Sequence, residues 1–196
     1  ANTTVVVPIC VPVGCYHLRV NDSGSNGITN GGYVLRDASS RRIIDASLGS
    51  FSSVSQINTG NNPNRSFCVP ISNIGMQTAT SCDKVRPRTS PIYANTQPGA
   101  TGYQFWIYDP HGTYNRRVLK TTNQLVPASL LTSPVPSNLD LNVRVRSLTG
   151  TVYSEFGPAC RIRFTGGVAP AMGEGHSREM EEALSSEVPL TIYPNP

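Results

Sequence analysis

Arginine is the residue this chain has most of for chemistry. Of its sixteen basic side chains only Lys84 and Lys120 are not arginine, and several arginines are neighbours or stand two apart: Arg41 and Arg42, Arg116 and Arg117, Arg144 and Arg146, Arg161 and Arg163. A guanidinium is a planar fork of donors that stays charged and matches carboxylates, phosphates and sulfates. A spacing of two along an extended strand puts both side chains on one face. Arg144, Arg146, Arg161 and Arg163 on neighbouring strands would therefore form a cationic ladder, the best candidate surface for a polyanion such as an anionic polysaccharide. The same alternation is also the pattern of a solvated sheet face, which is the plainer expectation.

Other reactive residues are more scattered. His17 lies mid-strand, His111 sits in the turn-like Asp109-Pro110-His111-Gly112, and His176 falls in a polar tail. No Gly-x-Ser-x-Gly elbow and no glycine-rich phosphate loop occurs, and Asp140 and Glu155 lack a spaced carboxylate partner for glycoside chemistry. No catalytic site is expected. Cysteines at positions 10, 15, 68, 82 and 160 form no CxxC pair and no zinc-site spacing with histidine. Their expected use is disulfides or buried thiols. Trp106 stands in the densest aromatic patch, Tyr103-Gln104-Phe105-Trp106-Ile107-Tyr108. Alternation sends Tyr103 and Phe105 to one face and Trp106 and Tyr108 to the other. One set is expected in a core and the other outside or under a loop, where Trp106 would be a candidate to stack on a sugar or a protein; the plainer reading places it in the core.

Strands are what carry these residues. The 17 glycines and 16 prolines are spread through 196 residues as the punctuation of short strands and turns, and no long helical periodicity occurs. An all-β class follows, with no apolar run long enough for a membrane span. Strands are expected around Cys15–Val20, Tyr33–Asp37, Arg42–Asp45, Arg65–Val69, Tyr103–Tyr108 and Arg116–Leu119. The stretch from Gly173 to Val188 carries Glu174, Glu179, Glu181, Glu182 and Glu187 against Arg178 alone, so the basic excess lies in the body that precedes it. That acidic stretch reads as a disordered linker with at most one helical turn near Ser177–Leu184. The start, ANTTVVVPIC, lacks the charged and apolar regions of a signal peptide, and the chain reads as a piece of a longer precursor.

Three segments resemble known families. Leu190-Thr191-Ile192-Tyr193-Pro194-Asn195-Pro196, after a Glu- and Ser-rich stretch, resembles the opening strand of a type IX secretion sorting domain, an export address of Bacteroidota surface proteins. Residues 82 to 164 carry an entry Cys82, a Gly99-Ala100-Thr101-Gly102-Tyr103 strand start, a Gly157-Pro158-Ala159-Cys160 turn and a closing strand. They resemble the fibronectin-type-III-like module that often precedes that sorting domain. The earlier part, with Cys15-Tyr16, Asn21-Asp22-Ser23, Asn26-Gly27-Ile28, Gly32-Tyr33 and Phe67-Cys68, resembles the C-terminal half of another module of secreted Bacteroidota proteins, often found beside peptidases.

The resemblances imply more than the residues alone. Cys82 and Cys160 bracket the fibronectin-like module and are the pair expected to bond in an oxidising compartment; Cys15 with Cys68 is the preferred remaining pair, leaving Cys10 without a partner. The turn of the first module implies a calcium loop, here reduced to Asp22 and Asn26. One carboxylate is weak for calcium, and the plainer reading is a turn in which both side chains bond their own backbone. No other cofactor is implied.

The expected architecture is two β-sandwich-like modules in series. Residues 1–72 form the first with an N-terminal arm 1–13, 82–164 the second, 165–189 a linker and 190–196 the start of the sorting domain. The function implied is a non-catalytic, secreted, cell-surface protein for adhesion or spacing, whose partners are the type IX machinery and other surface proteins or polysaccharide. Two alternatives stand beside it. One is a homo-oligomeric fibre subunit that donates the β-branched arm Thr3–Val7 to a neighbour's sheet; the other is the accessory region of a secreted peptidase.

Overall fold

Strong alternation lets one strand serve two cores, and the fold is arranged around strands of that kind. The structure, a computed structural model, describes residues 4–21, 28–51, 54–57, 67–110, 114–166 and 190–194. In chain order the elements are β1 (Gly14–Asn21), β2 (Ile28–Arg36), β3 (Arg42–Phe51), β4 (Val54–Ile57) and β5 (Phe67–Val69), then a one-turn helix α1 (Thr78–Ser81). There follow β6 (Lys84–Pro87), β7 (Ile92–Tyr93), β8 (Gly102–Tyr108), β9 (Asn115–Lys120), β10 (Gln124–Leu125), a 3₁₀ turn (Pro127–Ser129), β11 (Asp140–Thr149), β12 (Val152–Tyr153), β13 (Cys160–Thr165) and β14 (Leu190–Pro194). The protein is all-β.

A central sheet runs β6-β13-β11-β8-β9, with β12 added to β11; β6 joins β13 in parallel and the other pairs are antiparallel. One face of it presents Tyr103, Phe105 and Ile107 from β8, Leu141, Val143 and Val145 from β11, and Cys160, Ile162 and Phe164 from β13. Against them pack Ile74, Met76, Ile92, Ala94, Leu125, Leu130 and Val135, carried by β7, β10 and the loops. The other face contributes Trp106 and Tyr108, which join Tyr16, Leu18, Val20, Ile43, Ile44, Ala46, Phe67, Ile71 and Phe156 in a second cluster. The expectation that only one aromatic set would be interior is therefore corrected, because the elements of residues 14–71 cover the face left open by residues 92–135. Packing thus crosses the segment 73–81, where the sequence suggests a boundary between units.

The first part of the chain is built as hairpins. The β2–β3 hairpin turns at Asp37–Arg41, where Asp37 Oδ1 accepts from the backbone N–H of Ser39 at 3.0 Å and of Arg41 at 2.9 Å. β1 pairs with β4 and β5 and, from Tyr16 to Val20, with β14. The terminal Leu-Thr-Ile-Tyr-Pro segment is therefore the strand beside β1. Before β1, residues 4–12 belong to no regular element, and Val5 is 77 % and Val6 84 % exposed.

Candidate functional site

Register gathers the arginines as alternation requires. Arg163 stands opposite Asp140, Arg161 opposite Asn142, Arg144 opposite Trp106, and Arg146 opposite Gln104. Arg117 of β9 faces Trp106 from the other side. All of these share the face that looks toward the β2–β3 hairpin.

The half of this face nearest β13 is saturated by carboxylates. Arg163 pairs with Asp140 in a two-pronged contact. Asp45 of β3, buried, receives Arg42 at 2.7 Å and lies 3.7 Å from Arg161. Asp83, next to Cys82, takes Arg42 through two bonds of 2.8 and 2.6 Å and Arg161 at 3.3 Å. Bonds from Arg42, with its charge and that of Arg161, hold Asp83 below the usual carboxylate range. Burial alone would raise Asp45, but bonds from Ser47 and Arg42 and the Arg161 charge outweigh it and leave that carboxyl lowered too. Beside this clasp Asn142 acts as a piece of sheet. Its Oδ1 accepts from the Asp45 N–H at 2.8 Å and its Nδ2 donates to the Asp45 carbonyl at 2.6 Å.

The other half differs in chemistry. Arg144 is 1 % exposed, donating from Nε to the Gly157 carbonyl at 2.8 Å and from Nη2 to the Phe156 carbonyl at 2.9 Å, while Nη1 has no hydrogen-bond partner. Position 157 must be glycine here, since a Cβ would fall 1.6 Å from the Ile74 carbonyl oxygen. Arg146 bonds Gln104 at 2.9 Å and lies over the rings of Tyr153 and Phe156, and Arg117 lies over those of Trp106 and Phe156. Burial pushes all three guanidinium groups below their ordinary values, and in Arg117 the neighbouring charge of Arg146 adds to the effect. Together with Phe67, Cys68, Glu155 and Phe156 they line a cleft of about 190 Å³.

The expected residues therefore have mixed fates. Arg144, Arg146, Arg161 and Arg163 do share a face, yet they do not form an exposed ladder. Arg144 is buried against Phe156, Gly157 and Trp106, while Arg161 and Arg163 are already held by aspartates. Trp106 is buried, its Nε1 donating to Asn115 at 2.6 Å, and so has no open face for a sugar. Cys15 bonds Cys68 directly across the β1–β5 pair, and Cys82 bonds Cys160 across 78 positions; Cys10 is a free, exposed thiol. Asp22 and Asn26, the calcium candidates, lie outside the described residues, as do His111 and His176. Among the described residues no cluster of three or more His, Cys, Asp or Glu side chains is placed to hold a metal. No helix of the described residues is long and apolar enough to cross a membrane.

Arg117 was missed as a functional candidate, although Arg116-Arg117 was visible as a pair; nothing local shows that β9 places it beside Arg144. Asp45 and Asn142 carried no signal beyond being polar within apolar strands. Compared with protein-family models, with curated proteins and with solved structures, the chain matches none.

Proposed function

We propose that the chain is a non-catalytic part of a secreted, surface-attached Bacteroidota protein exported by the type IX route, serving in adhesion or spacing. The observation that carries the spacing reading is the fastening between the early and late parts of the chain. Asp45 and Arg42 of β3 clasp Asp83 and Arg161 immediately beside the Cys82–Cys160 bond. Ion pairs that join the two parts beside a cystine bracing the later one suit an element that holds its position without bending. Two cystines also suit an oxidising compartment, and the terminal Leu-Thr-Ile-Tyr-Pro-Asn-Pro resemblance supplies the route. In a host competent for type IX secretion, the protein expressed from its own gene should be removed by protease added to intact cells. It should lose that accessibility when the secretion machinery is deleted. Retention behind the outer membrane in the competent host would overturn the proposal.

A second reading, a fibre subunit, rests on the exposed, β-branched Val5, Val6 and Val7 and on Ile9 and Val13 beyond them. A segment outside the sheets with exposed apolar, β-branched side chains is what a neighbouring sheet edge takes up.

A further inference from the structure

We propose that the cleft lined by Arg117, Arg144 and Arg146 binds a tetrahedral oxyanion dianion, either the inorganic ion (phosphate or sulfate) or the terminal group of a phosphate monoester. The inference goes beyond the export and spacing reading and does not depend on it. The residue that carries it is Arg144. Its guanidinium is buried and fixed from behind by two backbone carbonyls, at 2.8 Å from Nε and 2.9 Å from Nη2, while Nη1 is left without an acceptor. A buried charged donor without a partner costs more than most single interactions return, so its presence at a cleft implies an acceptor supplied from outside.

The surroundings select the ligand's charge and size. The ring of Phe156 has the guanidinium carbons of Arg146, Arg117 and Arg144 at 4.6, 5.3 and 5.9 Å from its centroid, so three forks converge on one small region. Glu155 is the one carboxylate among the described lining side chains. Among the described lining residues three guanidinium groups stand against one carboxylate, and that excess of positive charge favours a dianion over a single carboxylate. Arginine forks bond tetrahedral oxyanions through paired N–H donors, and a site partly withdrawn from water strengthens each bond. A volume of about 190 Å³ is below the roughly 300 Å³ at which pockets for drug-sized ligands begin. The cleft therefore takes a group and its water, not a nucleotide. Across the same face, the arginines near β13 already hold aspartates.

The test is calorimetric titration of the full chain with sodium phosphate, sodium sulfate and sodium acetate at matched ionic strength, followed by glucose 6-phosphate. Saturable one-site binding of the tetrahedral ions is expected, with acetate about tenfold weaker or worse, as loss of one charge-assisted bond implies. Arg146→Met and Arg117→Met, which lie toward the mouth, should each weaken phosphate about tenfold, and Arg144→Met should abolish binding. If Arg144→Met does not fold, the two mouth variants decide alone. Glucose 6-phosphate competing with phosphate identifies an ester as the source, and its failure to compete identifies the free ion. Absence of saturable binding at millimolar phosphate overturns the proposal, as does binding that Arg146→Met and Arg117→Met leave unchanged. A rise in melting temperature with sulfate that is equal in wild type and Arg146→Met is a solvent-exclusion effect and counts against it too.

Discussion

Asn142 shows how much one polar side chain does at the junction of the two covered layers. It lies opposite Arg161 on β11, is buried, and replaces a strand's hydrogen bonds to both the N–H and the carbonyl of Asp45. Asn142→Ala leaves both backbone groups buried and unpaired, so it should cost about 2–3 kcal/mol in denaturant unfolding with little change in the slope. Asn142→Leu should cost at least as much despite filling the space. The neighbouring carboxylates add a pH dependence of fixed sign. Asp45 and Asp83 both sit below their ordinary values in the folded protein. Their contribution is therefore complete above the unfolded value of about 3.9 and is lost as pH falls below it toward the folded values. The melting temperature should hold steady from neutral pH down to about 5 and drop below about 4, and Asp45→Asn should flatten that drop. At this scale the sequence was half legible. A spacing of two reported correctly that Arg144 and Arg146 share a face, because the strand's period is local. It did not report that the same face is covered at Trp106, Tyr108 and Asn142, because that cover comes from Ile43, Ile44 and Asp45, about a hundred positions from Asn142.

Strands were the most readable elements, since each carries its own alternation and is bounded by glycine, proline or a polar turn. The expected strand at Cys15–Val20 is β1, and the Ala38-Ser39-Ser40 tip closes β2 on β3 through the Asp37 side chain. Pairing was less readable, because any alternating strand can accept several neighbours. Leu190–Pro194 lies antiparallel beside β1 with Leu18 opposite Ile192, a pairing nothing in its own residues announces. That placement sharpens the choice between spacer and fibre. The edge of β1 that a neighbour's arm would fill is held by β14 of the same chain. If the arm donates a strand, removing residues 190–196 should free the edge and produce oligomers by sedimentation velocity, and a further deletion of residues 1–9 should return the chain to a monomer. If the chain is a spacer, the first deletion should only lower stability, leaving a monomer at every concentration. Val11 and Tyr16 anchor the root of the arm, the latter through a bond to the Pro12 carbonyl at 2.8 Å, so deletion up to position 9 leaves that anchor intact.

For the whole molecule, the question is whether two modules in series or one body with a double-faced sheet unfolds. Composition and turn spacing announce an all-β chain, and family-like motifs suggest a boundary at 73–81, but motif order records sequence and not packing. Trp106, Tyr108 and Phe156 belong to the later part of the chain and are buried by Tyr16, Leu18, Ile43, Ile44 and Phe67 of the earlier part. Aromatic rings of this size dominate the apolar area of a small core, so the later part cannot leave its partner without exposing them together with Asn142. Calorimetry of the intact chain should then give one transition whose calorimetric and van't Hoff enthalpies agree. Residues 74–166 alone should bind a hydrophobic dye and lack a sharp melt, even with Cys82–Cys160 closed. The cystine constrains the unfolded chain, by about 4–5 kcal/mol for a loop of 78 positions, but it cannot supply the missing cover for Trp106. A fragment that melts cooperatively at the temperature of the intact protein would show instead that the first face of the sheet, with Phe105, Val143 and Ile162 at its centre, suffices to fold the later module by itself.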